Sequence, residues 1–246
     1  MSKKAPRTHL IIPDAQTKAD VDVSHLEAAR NLICELKPEV IVNIGDFWDM
    51  PALSSYSSKL EEEGRRVIDD IEAGNDAMAL LTHKWPKNYR PEMHFTLGNH
   101  EDRITRAVRE TPKLRGIIGI DKLDLSKWRV HKYLVPVVID GVTYCHYFYN
   151  QMSGKPISGN ATSMLNKIGF SFVQGHRQEL SYARKDLANG TVMHGLVAGA
   201  FHIHDEDYKG AQAAAHWRGL VLLHEVHQGD YDIELISVEN LLRKYL

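Results

Sequence analysis

The sequence has little of what marks secreted, membrane or nucleic-acid-coating proteins. Its 246 residues include only two cysteines, Cys34 and Cys145. Two cysteines cannot form a disulfide framework, and both fall within segments patterned as a helix and a strand, so a reduced protein is expected. No apolar run approaches the ~20 residues needed to cross a bilayer. The N-terminal stretch is polar, so a cytoplasmic protein with no membrane partner is expected. A strong charge of one sign is also missing. The formal net charge is -2, which provides no global field to attract nucleic acid or anionic lipid. Basic residues concentrate in two places only, Lys3, Lys4 and Arg7, read as a solvated tail, and the run Arg103, Arg106, Arg109, Lys113 and Arg115. Internal repeats and low-complexity tracts are lacking, and the longest irregular stretches, Ser54 to Lys59 and Ser153 to Asn160, read as loops. One domain spanning residues 1–246 is the expectation.

What is present is a β-α-β-α-β pattern. His9 to Pro13 reads as a buried strand, followed by a capping-box pair, Ser24 and Glu27, and an apolar stripe through Leu26, Ala29, Ile33 and Leu36. Val40 to Ile44 is a continuous β-branched run, the pattern of a strand buried on both faces of a parallel sheet. A second helix carries Val67, Ile71, Met78 and Leu81, and Met93 to Leu97 forms the third strand. Beyond it the pattern turns to hairpins. Leu134 to Ile139 and Val142 to Phe148 flank Asp140-Gly141, and Leu220 to Val226 and Tyr231 to Val238 flank Gln228-Gly229-Asp230. Phe170 to Gln174 and Val192 to Ala198 are further strands. The expected fold class is α/β (α+β), with two packed mixed β-sheets flanked by helices.

Polar motifs stand where these strands end: Asp14-Ala15-Gln16, Gly45-Asp46-Phe47-Trp48-Asp49 and Gly98-Asn99-His100-Glu101. In open α/β sheets ligands collect outside the carboxyl ends of the strands, so consecutive strands deliver Asp14, Asp46 and Asn99 to one crevice. Two further strands end in His146 and in Gly175-His176-Arg177-Gln178. Singly, each motif reads better as a helix cap, a turn or a satisfied core histidine. Five such motifs, each at a strand end and each offering an oxygen or imidazole donor, point instead to two adjacent divalent cations.

In this order the motifs resemble those of the calcineurin-like metallophosphoesterase family: D-x-H, G-D-x-x-D, G-N-H-[DE], an isolated His, and G-H-x-H. The resemblance covers roughly residues 8 to 180. It implies a β-sandwich of mixed sheets, with Asp46 bridging two metals, Asn99, His146 and His176 completing the second site, and Asp14 belonging to the first. Phosphate-ester hydrolysis at a two-metal site is the implied activity, and the chemistry is consistent with it, since paired cations polarise a phosphoryl oxygen and activate water. His100 fits the general acid at the leaving oxygen, with Asp49 orienting its imidazole.

The chain departs from the family where Gln16 and Gln178 replace the two histidines of the first site. Asp14, Gln16, Asp46 and Gln178 then offer oxygen only, which favours Mn²⁺ or Mg²⁺, while the second site also suits Zn²⁺ or Fe. Met50-Pro51 replaces the Arg-Gly that follows the second Asp in the family's Ser/Thr protein phosphatases, which argues against that subgroup. Arg103 and Arg106, spaced to share a face of a helix beginning near His100, are candidate substrate-phosphate ligands; the other reading is a solvated helix face paired with Glu101, Asp102 and Glu110. The substrate is read as a phosphate monoester or diester, with nucleotide or nucleic acid included. A nuclease, and a non-catalytic binding module with a degenerate first site, are the alternatives. His202 and His204, within Phe201 to Asp205, share a face but find no completing ligand, so they are read as pocket lining rather than as a metal site.

Overall fold

Strands made of β-branched residues leave no face that water can solvate cheaply, so they must be covered on both sides. The computed structural model describes residues 5–54, 64–204 and 216–246 and shows how this is done. The first part runs β1 (Arg7–Ile12), α1 (Ser24–Leu36), β2 (Val40–Asn43), α2 (Val67–Thr82), β3 (Glu92–Thr96), α3 (Asn99–Glu110) and β4 (Arg129–His131). Then come β5 (Val137–Ile139), β6 (Val142–Tyr144), α4 (Ala161–Ile168), β7 (Phe172–Gln174), β8 (Leu180–Asp186) and β9 (Val192–Ala198). The last described elements are β10 (Gly219–His227), β11 (Asp230–Ser237) and α5 (Val238–Tyr245).

Two mixed sheets result, of six strands in the order β11-β10-β1-β2-β3-β4 and of five in the order β5-β6-β7-β9-β8. The expected α/β architecture is therefore the observed one. Strands β1 to β4 pair in parallel, and β10 and β11 extend that sheet antiparallel. Alternation along each strand divides the core. Leu10 and Ile12 pack with α1 and α2, while Ile11, Val42 and Ile44 meet Tyr144, Val173 and Leu196 of the other sheet. Each fully buried side chain of this size contributes about 1.5–3 kcal/mol, enough together to hold the strand ends rigidly. Among the described residues no helix is long and apolar enough to cross a membrane.

Both expected hairpins form. Asp140 and Gly141 take φ of 48° and 89°, and Gln228 and Gly229 take 52° and 87°, the doubly positive turn that matches strand twist. Other expectations are corrected. Ser24 and Glu27 do not form a capping box: the Asp22 carboxylate accepts from the Ser24 N–H at 2.8 Å, and Glu27 pairs with Arg30 at 2.6 Å. Arg7 is not part of a solvated tail. It lies in β1 and pairs with Asp140 at 2.5 Å and Glu92 at 2.7 Å, whereas Lys3 and Lys4 lie outside the described residues. Of the two expected loops, residues 153–160 are irregular up to Asn160, which caps α4 by accepting from Ser163 N–H at 2.9 Å. Beyond Ser54 the other loop lies outside the described residues.

Candidate metal centre

The carboxyl ends of β1, β2 and β3 bring the first three motifs together. Parallel pairing continues past the strands: Gln16 N–H donates to Asp46 O at 2.9 Å, Thr17 N–H to Phe47 O at 2.7 Å, and Asp49 N–H to Thr17 O at 2.9 Å. Gly45 makes the turn with φ of 88°, and Gly98 leaves room for it. A Cβ on Gly98 would come within 2.5 Å of Asp46 N and 2.9 Å of its carboxyl carbon. Gly98 itself is extended, so space rather than backbone freedom demands glycine there. Under the turn, Gly74 of α2 is in contact with the Trp48 indole, where a Cβ would sit 2.7 Å from Cγ.

Asp46 lies at the centre of the cluster. Its Oδ1 accepts from His100 N–H at 2.9 Å, and its Oδ2 lies 3.2 Å from His146 Nε2 and 3.6 Å from His100 Nε2. His146 Nδ1 is 2.8 Å from Ile44 O and donates its proton there, which leaves Nε2 facing Asp46 and, at 2.9 Å, Asn99 Oδ1. A proton on that ring nitrogen, or a cation beside it, satisfies both acceptors. Asp46, His146 and His176 each offer a ligand atom, all within 4.8 Å of one another. Burial disfavours the ionised Asp46, yet His100 and His146 hold it well below the usual carboxylate range. Burial opposes the His146 cation, but Asp46 and Asp14 outweigh it and raise that group.

The first motif lies alongside. Asp14 is fully buried and its Oδ1 accepts from His176 N–H at 3.1 Å. Its Oδ2 and the buried Gln16 Oε1 have no hydrogen-bond donor among the described residues. Two buried acceptors without donors cost roughly 1–3 kcal/mol each unless a cation or water meets them. Burial raises the Asp14 carboxyl, His146 opposing and Asp46 reinforcing. Gln178 is buried too. Gln16, Asp46, His176 and Gln178 all hold left-handed backbone, with φ of 46°, 50°, 68° and 59°. For non-glycine residues this costs roughly 1–3 kcal/mol each and clusters at functional sites.

His100 Nδ1 lies 3.0 Å from Asp49 Oδ1, an ion-pair distance without hydrogen-bond geometry. Asp49 is also paired with Lys18 at 3.0 Å. Burial opposes ionisation of Asp49, but His100 and Lys18 keep it far down, and His100 is raised by Asp46 and Asp49 against burial and Arg103. The two candidate arginines separate. Arg103, with 11 % of its side chain exposed, donates to Asp49 O at 2.8 Å and Met50 O at 3.2 Å and lies 3.1 Å from His100 Nε2. Arg106 is 49 % exposed and paired with Asp102 at 3.6 Å, so the three-residue spacing does not bring it into the cluster.

Glu101 carries no role of its own in the sequence reading, where it closes the third motif and one of two readings of the arginines places it on a solvated helix face. It is fully buried, and its carboxylate accepts from Gly98, Asp46, Phe47 and Trp48 N–H at 2.8, 3.0, 2.8 and 3.1 Å. Four backbone donors on one carboxylate fix the turn that aims Asp46. Its place in the third motif was the only signal. Lys18 carried none, nor did Tyr147, whose ring lies 4.6 Å from that of His176 and whose hydroxyl is 2.7 Å from that of Tyr133. His202 is buried with Nδ1 2.9 Å from His204 O, and Phe201 N–H donates to Asp14 O at 3.1 Å. Among the described residues neither histidine joins a three-ligand group, and Asp205 lies outside them. No protein-family model matches the chain, and no curated protein matches it.

Proposed function

We propose that this chain is a metal-dependent phosphoesterase of the calcineurin-like type that its motifs resemble. The observation that carries the reading is a set of donors: buried Asp46 and His146 converge with half-buried His176, and the buried Asp14 Oδ2 and Gln16 Oε1 lie beside them with no hydrogen-bond donor among the described residues. Asp46, Asn99, His146 and His176 would hold one divalent cation, and Asp14, Gln16, Asp46 and Gln178 the other. The oxygen-only set suits Mn²⁺ or Mg²⁺, and the imidazole-bearing set suits Mn²⁺, Zn²⁺ or Fe. When bound, such a pair supplies Lewis-acid polarisation of a phosphoryl oxygen and lowers the pKa of water.

The protein's own contribution is a proton at the leaving oxygen. His100 turns Nδ1 toward Asp49, which leaves Nε2 as the atom that delivers it. In the structure Nε2 accepts from an Arg103 N–H at 3.1 Å, so proton delivery by this atom requires Arg103 to give up that bond and Nε2 to take up a proton. Arg106 supports no nucleic-acid reading from where it lies, so a phosphate monoester or diester of a small molecule is the favoured substrate. Cys34 and Cys145 are free thiols, which suits a reducing cytoplasm. The test is the metal content of the purified protein, together with hydrolysis of a monoester, a diester, and single- and double-stranded DNA in Mn²⁺. Metal-dependent turnover of the small esters supports the reading; a protein that binds no divalent metal and turns over none of the four refutes it.

A further inference from the structure

Beside the second-site histidines lies a cavity of about 300 Å³, at the small end of ligand pockets. Aromatic rings dominate its wall: Tyr147, Phe148, Tyr149 and Phe170, with Ile157 and Ile168 between them. Among the described residues no carboxylate lines it, and its one charged neighbour, Lys167, donates to Ser158 O at 2.8 Å. Gln151 supplies an amide, a donor and an acceptor together. Tyr147 belongs both to this wall and to the metal cluster, because its ring lies 4.6 Å from that of His176 and 5.8 Å from that of His146. Tyr149 and Phe170 are 37 % and 42 % exposed, so two large aromatic faces stand open to solvent at the cavity.

We infer that this cavity is a subsite for a planar aromatic group of nucleobase size, carried by the phosphate ester whose phosphorus is processed at Asp46, His146 and His176. The placing of the phosphorus rests on the phosphoesterase reading; the aromatic subsite does not. The ammonium of Lys167 in the lining disfavours a cation that the aromatic rings would otherwise attract, and because it is bonded to Ser158 O it offers an anion little. The wall does offer stacking surface to a neutral ring, and the Gln151 amide matches the paired donor and acceptor edge of a base. The volume accommodates one ring system rather than a peptide or a lipid chain. Tyr147 joins the two places, since it lines the cavity and its ring also contacts that of His176.

The experiment has two arms. In the first, adenosine, which has no phosphate, is titrated into the full-length protein while amide resonances of Tyr149, Ile157, Gly169 and Phe170 are followed; saturable shifts confined to this region are expected. In the second, KM and kcat are measured for a nucleoside phosphodiester and a methyl phosphodiester in the wild type, in Phe170→Ala and in the cavity-filling Ile157→Trp. Both substitutions should raise KM for the nucleoside ester about tenfold, in line with the loss of one stacking partner, and leave the methyl ester within twofold. Phe170 is at the surface, so its variant keeps the fold. Absence of adenosine shifts, or equal losses on the two esters, overturns the subsite while leaving the hydrolase reading intact. Adenosine shifts in a protein that cleaves neither ester support the subsite and remove the hydrolase reading instead.

Discussion

Replacing Gly98 by alanine tests the way two loops are held against each other. At φ -93° and ψ -178° alanine meets no backbone strain, so any effect must come from its methyl group. That methyl would sit 2.5 Å from Asp46 N and 2.9 Å from its carboxyl carbon, where ordinary contacts need ~3.5 Å or more. Relief requires a shift of about 1 Å at Asp46, several times the ±0.2 Å tolerance of a metal–ligand bond. Overpacking of this kind costs about 1–3 kcal/mol of stability, and displacement of a supporting contact at a metal centre costs up to about 100-fold in affinity. Gly154→Ala is the control. Gly154 has φ of 67° and nothing within 4 Å, so alanine there adds backbone strain of about 1–2 kcal/mol without touching the cluster. Mn²⁺ titration by calorimetry and urea unfolding of both variants separate the effects. Gly98→Ala with wild-type Mn²⁺ affinity would refute the reasoning, whatever its stability, because Asp46 would then not be pressed against that position.

Four other outcomes are expected. Glu101→Ala leaves four buried N–H groups without an acceptor, and with one unmade bond costing ~1–3 kcal/mol it should lose at least ~3 kcal/mol in urea unfolding; a loss under ~1 kcal/mol would show that the carboxylate does not hold the turn. His100→Asn should lose about 10²- to 10⁴-fold in kcat on alkyl esters and much less on nitrophenyl esters, and an equal loss on both would argue against proton donation. The pair Gln16→His and Gln178→His should shift metal preference toward Zn²⁺ in competition titrations; unchanged preference would remove both glutamines from the ligand set. Acid should weaken the fold through His9 and His25, each lowered by burial to about 4. The unfolded chain takes up those protons near pH 6.5, so stability is full above that value and falls as the pH drops toward about 4. In His25→Gln the slope of unfolding free energy against pH should decrease by about one proton, or ~1.4 kcal/mol per pH unit; an unchanged slope contradicts the burial of a neutral ring.

Much of the frame was readable in the sequence because it rests on local chemistry. The runs at Ile11 and Val42 are apolar without alternation, which points to a doubly covered strand, whereas Met93 to Leu97 alternates with His94 and Thr96. Asp140-Gly141 and Gln228-Gly229 specify their turns by backbone preference alone. β8 was missed because Leu180–Asp186 pairs on one side only, and its polar alternation resembles a loop. The short helices α4 and α5 span eight residues each, too few for a helical period to register.

Within the metal centre the division is similar. The sequence by itself determined which donors stand at strand ends, and in what order, because strand ends are a property of local pattern. Tertiary structure decided what those donors do. Glu101 and Arg106 both lie on α3, and only packing makes one the buried acceptor of four N–H groups and the other a solvated ion pair. Packing also gives Arg103, read as a candidate ligand for substrate phosphate, bonds to the carbonyls of residues 49 and 50 and a place 3.1 Å from His100 Nε2. Among the described residues Asp14 Oδ2 and Gln16 Oε1 lack donors, and the Asp14 carboxylate is set against Gly175 at the end of β7. Burial and long-range contact arise from the packing of distant segments, and they convert an ordered list of polar residues into a site that calls for positive charge.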